Sequence, residues 1–126
     1  MKTLPNGLVV FNSTPHPITF WREDWKEPVS VEPDELINAK AVEVPVNSGG
    51  TRHGEDTIWF VRTSFEGTDE GRAIISRVKN QVDVIVGSII AAQAYPGDVV
   101  AMCPAPGYER VAPDQKRMLP DKFTVF

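Results

Sequence analysis

The sequence predicts an α+β domain: a small, mostly antiparallel sheet with one amphipathic helix and one short helix. Apolar runs are short and rich in Val, Ile and Phe, which is typical of strands. The 11 prolines and 9 glycines are scattered without a period, which favours many turns. A chain of 126 residues, 41% of them hydrophobic, can build one core, so we expect a single ligand-binding domain over 1–126.

The first half of the chain predicts strands and loops. Two strand-like runs, 7–11 and 16–21, flank the turn formers NSTP and predict an N-terminal hairpin. The charged, proline-punctuated segment 21–40 predicts a loop with a short strand at 29–31 and one helical turn. Its role is left open. Residues 41–46 alternate between apolar and acidic, and TIWFVRT at 57–63 predicts the strongest strand of the protein.

The second half predicts both helices. Thr68 offers a hydroxyl cap and two acidic residues follow it, so a helix is expected over 69–80. Ser88 can cap a short helix at 89–94. Three further apolar runs predict strands at 82–86, 98–102 and 122–126.

Charge and cysteine content exclude several classes of protein. The formal net charge of −4 disfavours a binder of polymeric nucleic acid, although one or two arginines can still hold a small anion. The single cysteine, Cys103, rules out an internal disulfide. We see no secretory signal at residues 1–11 and no apolar run approaching the roughly 20 residues of a membrane span. We therefore expect a cytoplasmic protein with no membrane partner.

The turn at Thr14 and His16 is the first candidate binding element. If it faces the break at Gly87 and Ser88, hydroxyl and amide groups would converge on a phosphate-sized site. The alternative is structural, since a Thr hydroxyl and an imidazole in a turn can bond nearby backbone groups. Both interpretations stay open at this point.

Arginines supply the other candidates. Arg52 follows a flexible Ser-Gly-Gly loop that could approach an anion, or it is simply solvated. Tyr108 and Arg110 combine a stacking face with a guanidinium, or else form a subunit contact. Arg62 is expected to face solvent, and the alternative is that a carboxylate or a ligand phosphate holds it.

The tryptophans predict packing sites. Trp59 is expected in the core, while Trp21 and Trp25 are expected to cover the core edge or a subunit interface. Stacking on a base is the alternative for each. The 11 aromatic residues, several of them outside core-like patterns, also predict a homo-oligomer.

Catalytic signals are weak. Two histidines and one cysteine cannot form a standard structural zinc site, and no phosphate-binding loop motif occurs. The acidic pairs lie at a helix cap and a turn, where each has an ordinary structural role. We therefore expect no enzyme, no metal and no cofactor.

Several motifs together resemble a widespread group of small phage and prophage proteins. They are NSTPHPI, NSGGTR, VRTSFEG and the segment VIVGSIIAAQA with the following PGDVVA, YERV and QKRM. Within that group the chain resembles the Thoeris anti-defence sponge proteins of the first type. The resemblance covers about 8–19 and 47–126. It implies a small oligomer that sequesters a cyclic ADP-ribose-type immune signal without cleaving it.

Three functions are therefore considered. The first is a binding protein for a small nucleotide-type signalling molecule. The second is a phage structural or protein-interaction module. The third is a hydrolase that degrades the signal.

Overall fold

The computed structural model describes residues 1–126 and confirms the α+β class. It contains two α-helices, a 3-10 helix at Pro113–Gln115 and eleven strands. The helices are α1 (Asp69–Val78) and α2 (Ile89–Ala94). The strands are β1 (Lys2–Thr3), β2 (Val9–Asn12), β3 (Ile18–Phe20), β4 (Val29–Val31), β5 (Ala39–Pro45), β6 (Thr51–His53), β7 (Asp56–Ile58), β8 (Val61–Gly67), β9 (Val84–Gly87), β10 (Val99–Pro104) and β11 (Met118–Thr124).

The main sheet is larger and more mixed than predicted. Its seven strands run in the order β1-β2-β9-β10-β11-β3-β4. The β2/β9, β9/β10 and β11/β3 pairs are parallel, so the prediction of a small, mostly antiparallel sheet is wrong here. The physical reason is visible at β9-α2-β10, where the short helix forms a crossover that returns the chain in the same direction.

The predicted N-terminal hairpin is also wrong. β2 pairs with β1 and β9, whereas β3 pairs with β4 and β11. The chain leaves β2 through a wide turn instead of folding back beside it. The sheet curls so that its first two strands approach β4 at its other end. Lys2 Nζ donates to the Ser30 carbonyl at 2.9 Å, and Asn12 Nδ2 donates to the Val31 carbonyl at 3.0 Å.

Segment 21–40 has little regular structure. The strand predicted at 29–31 is confirmed as β4, but no helical turn follows it. Trp25 packs against the core around Phe20, and Trp21 Nε1 donates to the Trp25 carbonyl at 3.1 Å. Trp25 therefore covers an edge of the core, as expected, whereas Trp21 packs edge-on against Tyr108.

Strand alternation divides the core into two clusters. Neighbouring residues of β2 and β9 point to opposite faces of the sheet, so Phe11 and Ile85 join one cluster while Val10 and Val86 join the other. Both helices pack on the first face, through Ile75, Val78, Ala91, Ala92 and Tyr95. The curled sheet encloses the second cluster with Phe20.

The predicted helix starts are confirmed. Thr68 Oγ1 accepts a hydrogen bond from the Gly71 amide at 2.9 Å, and Ser88 Oγ accepts one from the Ala91 amide at 3.0 Å. Each bond satisfies an amide that the first turn of a helix leaves without a partner. Neither helix is long and apolar enough to cross a membrane.

β5 to β8 form a projecting two-stranded hairpin, residues 39–67, which we call the arm. Its register runs from Ala39 opposite Gly67 to Pro45 opposite Val61, and β6 pairs with β7 at the tip. The strand predicted at 57–63 is interrupted at Trp59 and Phe60. Trp59 is 53% exposed, so its predicted place in the core is wrong. The main sheet and the two helices packed on it form what we call the body. The arm extends from the body instead of joining the main sheet.

Candidate functional site

A buried asparagine builds the turn after β2. Asn12 is completely buried, and its Nδ2 donates to the carbonyls of His16 (2.8 Å) and Val31 (3.0 Å). Its Oδ1 accepts from the amide and the hydroxyl of Thr14, at 2.9 and 2.7 Å. The side chain thus uses its full capacity for hydrogen bonds and fixes the shape of the turn.

Ser13 ties this turn to the end of β9. Its amide and its hydroxyl both donate to the Val86 carbonyl, at 3.0 and 2.7 Å. A Cβ on Gly87 would lie 2.7 Å from Val99 Cγ1 and 3.0 Å from Ser13 Oγ, so only glycine fits without a shift. The turn therefore sits directly against the Gly87-Ser88 break, an arrangement that one of the two interpretations of the sequence requires.

A cavity of about 700 Å³ opens between the turn and the far end of the sheet. Thr14, His16 and Ser88, three of the predicted binding residues, line it together. The remaining wall comes from the turn itself, β3, β10, the 3-10 helix and β11. It consists of Pro15, Pro17, Ile18, Thr19, Met102, Pro113, Asp114, Lys116 and Met118.

The three predicted residues differ in how free they are. The Thr14 hydroxyl is occupied by Asn12 Oδ1 and by the His16 carbonyl at 3.0 Å, which matches the structural alternative. Ser88 caps α2 but keeps a hydroxyl proton that can be donated. The His16 side chain is exposed at the cavity. His16 and Ser88 are therefore better placed than Thr14 to contact a ligand.

Lys116 and Asp114 bring opposite charges to the same wall. Sequence analysis missed both, because they belong to a proline-flanked loop without periodicity. The same is true of Met102 and Met118, which lie on neighbouring strands and contribute adaptable apolar surface. Only the pairing of β10 with β11 brings these two methionines to one place.

Tyr108 and Arg110 do not line the cavity. The Tyr108 ring meets Trp21 edge-on with centroids 6.0 Å apart, and the Arg117 guanidinium lies 5.0 Å from both ring centroids. This arrangement satisfies the aromatic face of Tyr108 within the protein. Arg110 is exposed on the same loop, which leads into Pro113 at the cavity wall.

Arg52 lies far along the arm on β6, and its Nη2 donates to the Gly54 carbonyl at 3.3 Å. It does not line the cavity of its own chain. Arg62, on β8, is exposed, as predicted. The two arm arginines are thus separated from the turn that holds Thr14 and His16.

The cavity contains few groups suited to bond cleavage. Nowhere in the chain do three His, Cys, Asp or Glu side chains cluster as a metal site. Cys103 is half-buried, and its Sγ lies 3.4 Å from Thr124 Oγ1 instead of beside a histidine. The wall is better suited to holding a ligand by a few polar groups between apolar surfaces.

Comparison of the chain with protein-family models, with curated proteins and with solved structures finds no match. The cavity and the arm are the features of the chain that bear on its function.

Proposed function

We propose that this protein binds and sequesters a small nucleotide-type immune signal, of the cyclic ADP-ribose or cyclic-nucleotide class, without cleaving it. In this proposal it is a phage anti-defence protein that acts in the cytoplasm of the host cell. The observation that carries the proposal is the cavity of about 700 Å³ on which Thr14, His16 and Ser88 converge.

The size and chemistry of the cavity support a nucleotide-sized ligand. Ligand pockets usually measure about 300–1,000 Å³ and combine apolar walls with a few polar groups. Lys116 can hold a phosphate as a point charge, and Asp114 can accept from a ribose hydroxyl or an exocyclic amine. Met102 and Met118 offer polarizable surface against a base.

Sequestration is favoured over cleavage by the groups in the wall. The titratable residues of the wall are His16, Asp114 and Lys116. The His16 ring makes no hydrogen bond to the hydroxyl of Thr14 or Ser88, which an activated nucleophile would require. The resemblance of the NSTPHPI turn and the VIVGSIIAAQA segment to the sponge proteins supports the class of signal.

A second candidate is a phage structural or protein-interaction module. The specific observation in its favour is the arm, whose apolar side chains face water. In that case the cavity would have no nucleotide affinity and the arm would carry the function.

Isothermal titration against a panel of cyclic ADP-ribose isomers and cyclic di- and trinucleotides tests the proposal. Each ligand is recovered by heating the complex and analysed by chromatography. We expect submicromolar affinity for one ligand and its intact recovery. A cleaved product would support the hydrolase instead, and no binding across the panel would leave the protein-interaction module.

Two charge deletions locate the site. Lys116→Ala should weaken binding at least about tenfold, because a charge-assisted bond to a phosphate contributes about 1.5–3 kcal/mol. Lys79→Ala removes the same charge from the C-cap of α1, outside the cavity, and should leave affinity unchanged. Equal losses in both variants would indicate a general charge effect and contradict the assigned cavity.

A further inference from the structure

The arm has too little support of its own to be a free element. Its four strands form only two-stranded pairings, and α2, which also packs on β9 and β10 of the main sheet, contacts β5 and β8 of the arm. An isolated two-stranded hairpin is marginally stable in water, because it has one pairing and no core. The end of the arm that carries β6 and β7 therefore has little packing to stabilise it.

The arm also carries several large apolar side chains that are exposed to water. Trp59 and Phe60 are 53% and 58% exposed. Since an aromatic side chain carries about 150–250 Å², these two rings alone expose on the order of 200 Å². Val44 and Val46 add exposed apolar surface on one face of β5, whereas Val61, opposite Pro45, adds it on the other face of the arm. Exposed apolar side chains grouped in one element are typical of an interaction site.

The register shows which side chains share one face of the arm. Val44 lies opposite Arg62, Val42 opposite Ser64 and Lys40 opposite Glu66. Opposite residues of an antiparallel pair point to the same side, and alternate residues along a strand do so too. We call this surface the Arg62 face. About 520 Å³ of open space borders it beside Val44, Val46, Arg62 and Ser64.

The charges on the Arg62 face are self-complementary. Arg62 and Glu66 stand two residues before and two residues after Ser64 on the same strand. In a symmetric dimer, a contact from one residue to a second residue of the partner is repeated in reverse. A two-fold axis at the level of Ser64 would therefore place Arg62 of each chain opposite Glu66 of the other. Neither residue takes part in an ion pair within its own chain.

The geometry points to a second copy of this chain as the occupant of the Arg62 face. Two arms pack antiparallel, face to face, with Val42 and Ser64 of each chain at the centre and one Arg62–Glu66 pair on either side. The packing also carries the apolar tip of each arm towards the base of the other. This contact is independent of the ligand and goes beyond the function proposed above.

A charge swap tests the contact through sedimentation velocity across a concentration series. We expect the unaltered protein to dimerise. Arg62→Glu and Glu66→Arg should each raise the dimer dissociation constant at least about tenfold, because like charges would then face each other across the interface. The double variant, Arg62→Glu with Glu66→Arg, should return the constant to near its original value.

Lys79→Glu, the same reversal on α1, serves as the control and should leave association unchanged. Arg62 and Glu66 are exposed, so circular dichroism should show all variants folded. A protein that remains monomeric at submillimolar concentration, or a double variant no better than the single ones, would overturn the inference. The first result would assign the Arg62 face to a different protein.

Discussion

The body and the arm bury similar residues to different extents. In the body, Phe20 is fully buried, and Asn12 is enclosed with all its polar atoms bonded. In the arm, Phe60 is 58% exposed, and the half-buried Asn47 bonds Thr51, the Ile58 carbonyl and the Phe60 amide near water. The body therefore buries its large apolar side chains within the single chain, whereas the arm leaves apolar side chains exposed to water, where another surface could cover them.

This difference in burial indicates which region can bind a ligand and which can associate with another surface. The body supplies a cavity whose position depends on buried hydrogen bonds around Asn12. The arm supplies an exposed surface whose order depends on packing that the single chain lacks. Ligand binding and association are thus expected to respond to different substitutions.

The largest difference should appear with one substitution made in both regions. Phe20→Ala should lower the free energy of unfolding by about 4 kcal/mol, because it opens a cavity in the core. Phe60→Ala should change it by no more than about 0.5 kcal/mol at low protein concentration, where the arm is exposed. Urea unfolding followed by circular dichroism measures both.

Raising the protein concentration sharpens the same test. If the arm lies in a dimer contact, the loss caused by Phe60→Ala should grow with concentration, whereas the loss caused by Phe20→Ala should not. Similar losses for the two variants at low concentration would contradict the distinction between body and arm.

The two asparagines should give the second largest difference. Asn12→Ala should cost about 3 kcal/mol, since it leaves the Val31 and His16 carbonyls buried without their donor. Asn47→Ala should cost about 1 kcal/mol, because water can replace its bonds. Thermal unfolding of both variants measures this, and equal shifts would mean that Asn12 is not the anchor of the turn.

Gly87→Ala should have an intermediate effect on the body. The added methyl group meets Val99 and Ser13, so we expect a loss of about 1–3 kcal/mol. Because the Ser13 turn must shift, affinity for the cavity ligand should fall as well. Chemical denaturation together with ligand titration checks this. Unchanged stability would show that the turn tolerates displacement from β9.

The smallest effect concerns an exposed ion pair on the body. The hydrogen bond from Arg22 lowers the pKa of the Asp24 carboxyl below its usual 3.8. The pair's small contribution to stability is therefore present above pH 3.8 and is lost as pH falls through the lower folded value. A carboxyl NMR titration should find the lowered pKa, and Arg22→Gln should return it to its usual range. An unchanged value in that variant would exclude Arg22 as the cause.

Much of the local structure was predictable because it depends on neighbouring residues. Thr68 and Ser88 start their helices as predicted, since a cap needs only a hydroxyl and an amide three residues away. The prediction for Trp59 failed, because an aromatic strand residue looks the same whether its strand joins a sheet or projects from it. The prediction of an N-terminal hairpin failed for a related reason, because strand pairing depends on partners that are distant in sequence.

The candidate site divides in the same way. The sequence singled out the Thr14–His16 turn and the Gly87-Ser88 break as interruptions of apolar runs, and their proximity was one of two open interpretations that the pairing of β2 with β9 decided. It could not place Lys116 or Met102 beside them, since these come from separate strands and loops. The sequence also could not show that the Tyr108 ring contacts Trp21 and the Arg117 guanidinium.

The sequence by itself determined the α+β class, both helix starts and the identity of the turn, because period, capping and turn chemistry act over a few residues. Tertiary structure decided the mixed seven-stranded sheet, the wall of the cavity and the projection of the arm. These features arise from pairings between residues as distant as Ser13 and Val86, and the free energy of such contacts depends on the whole fold.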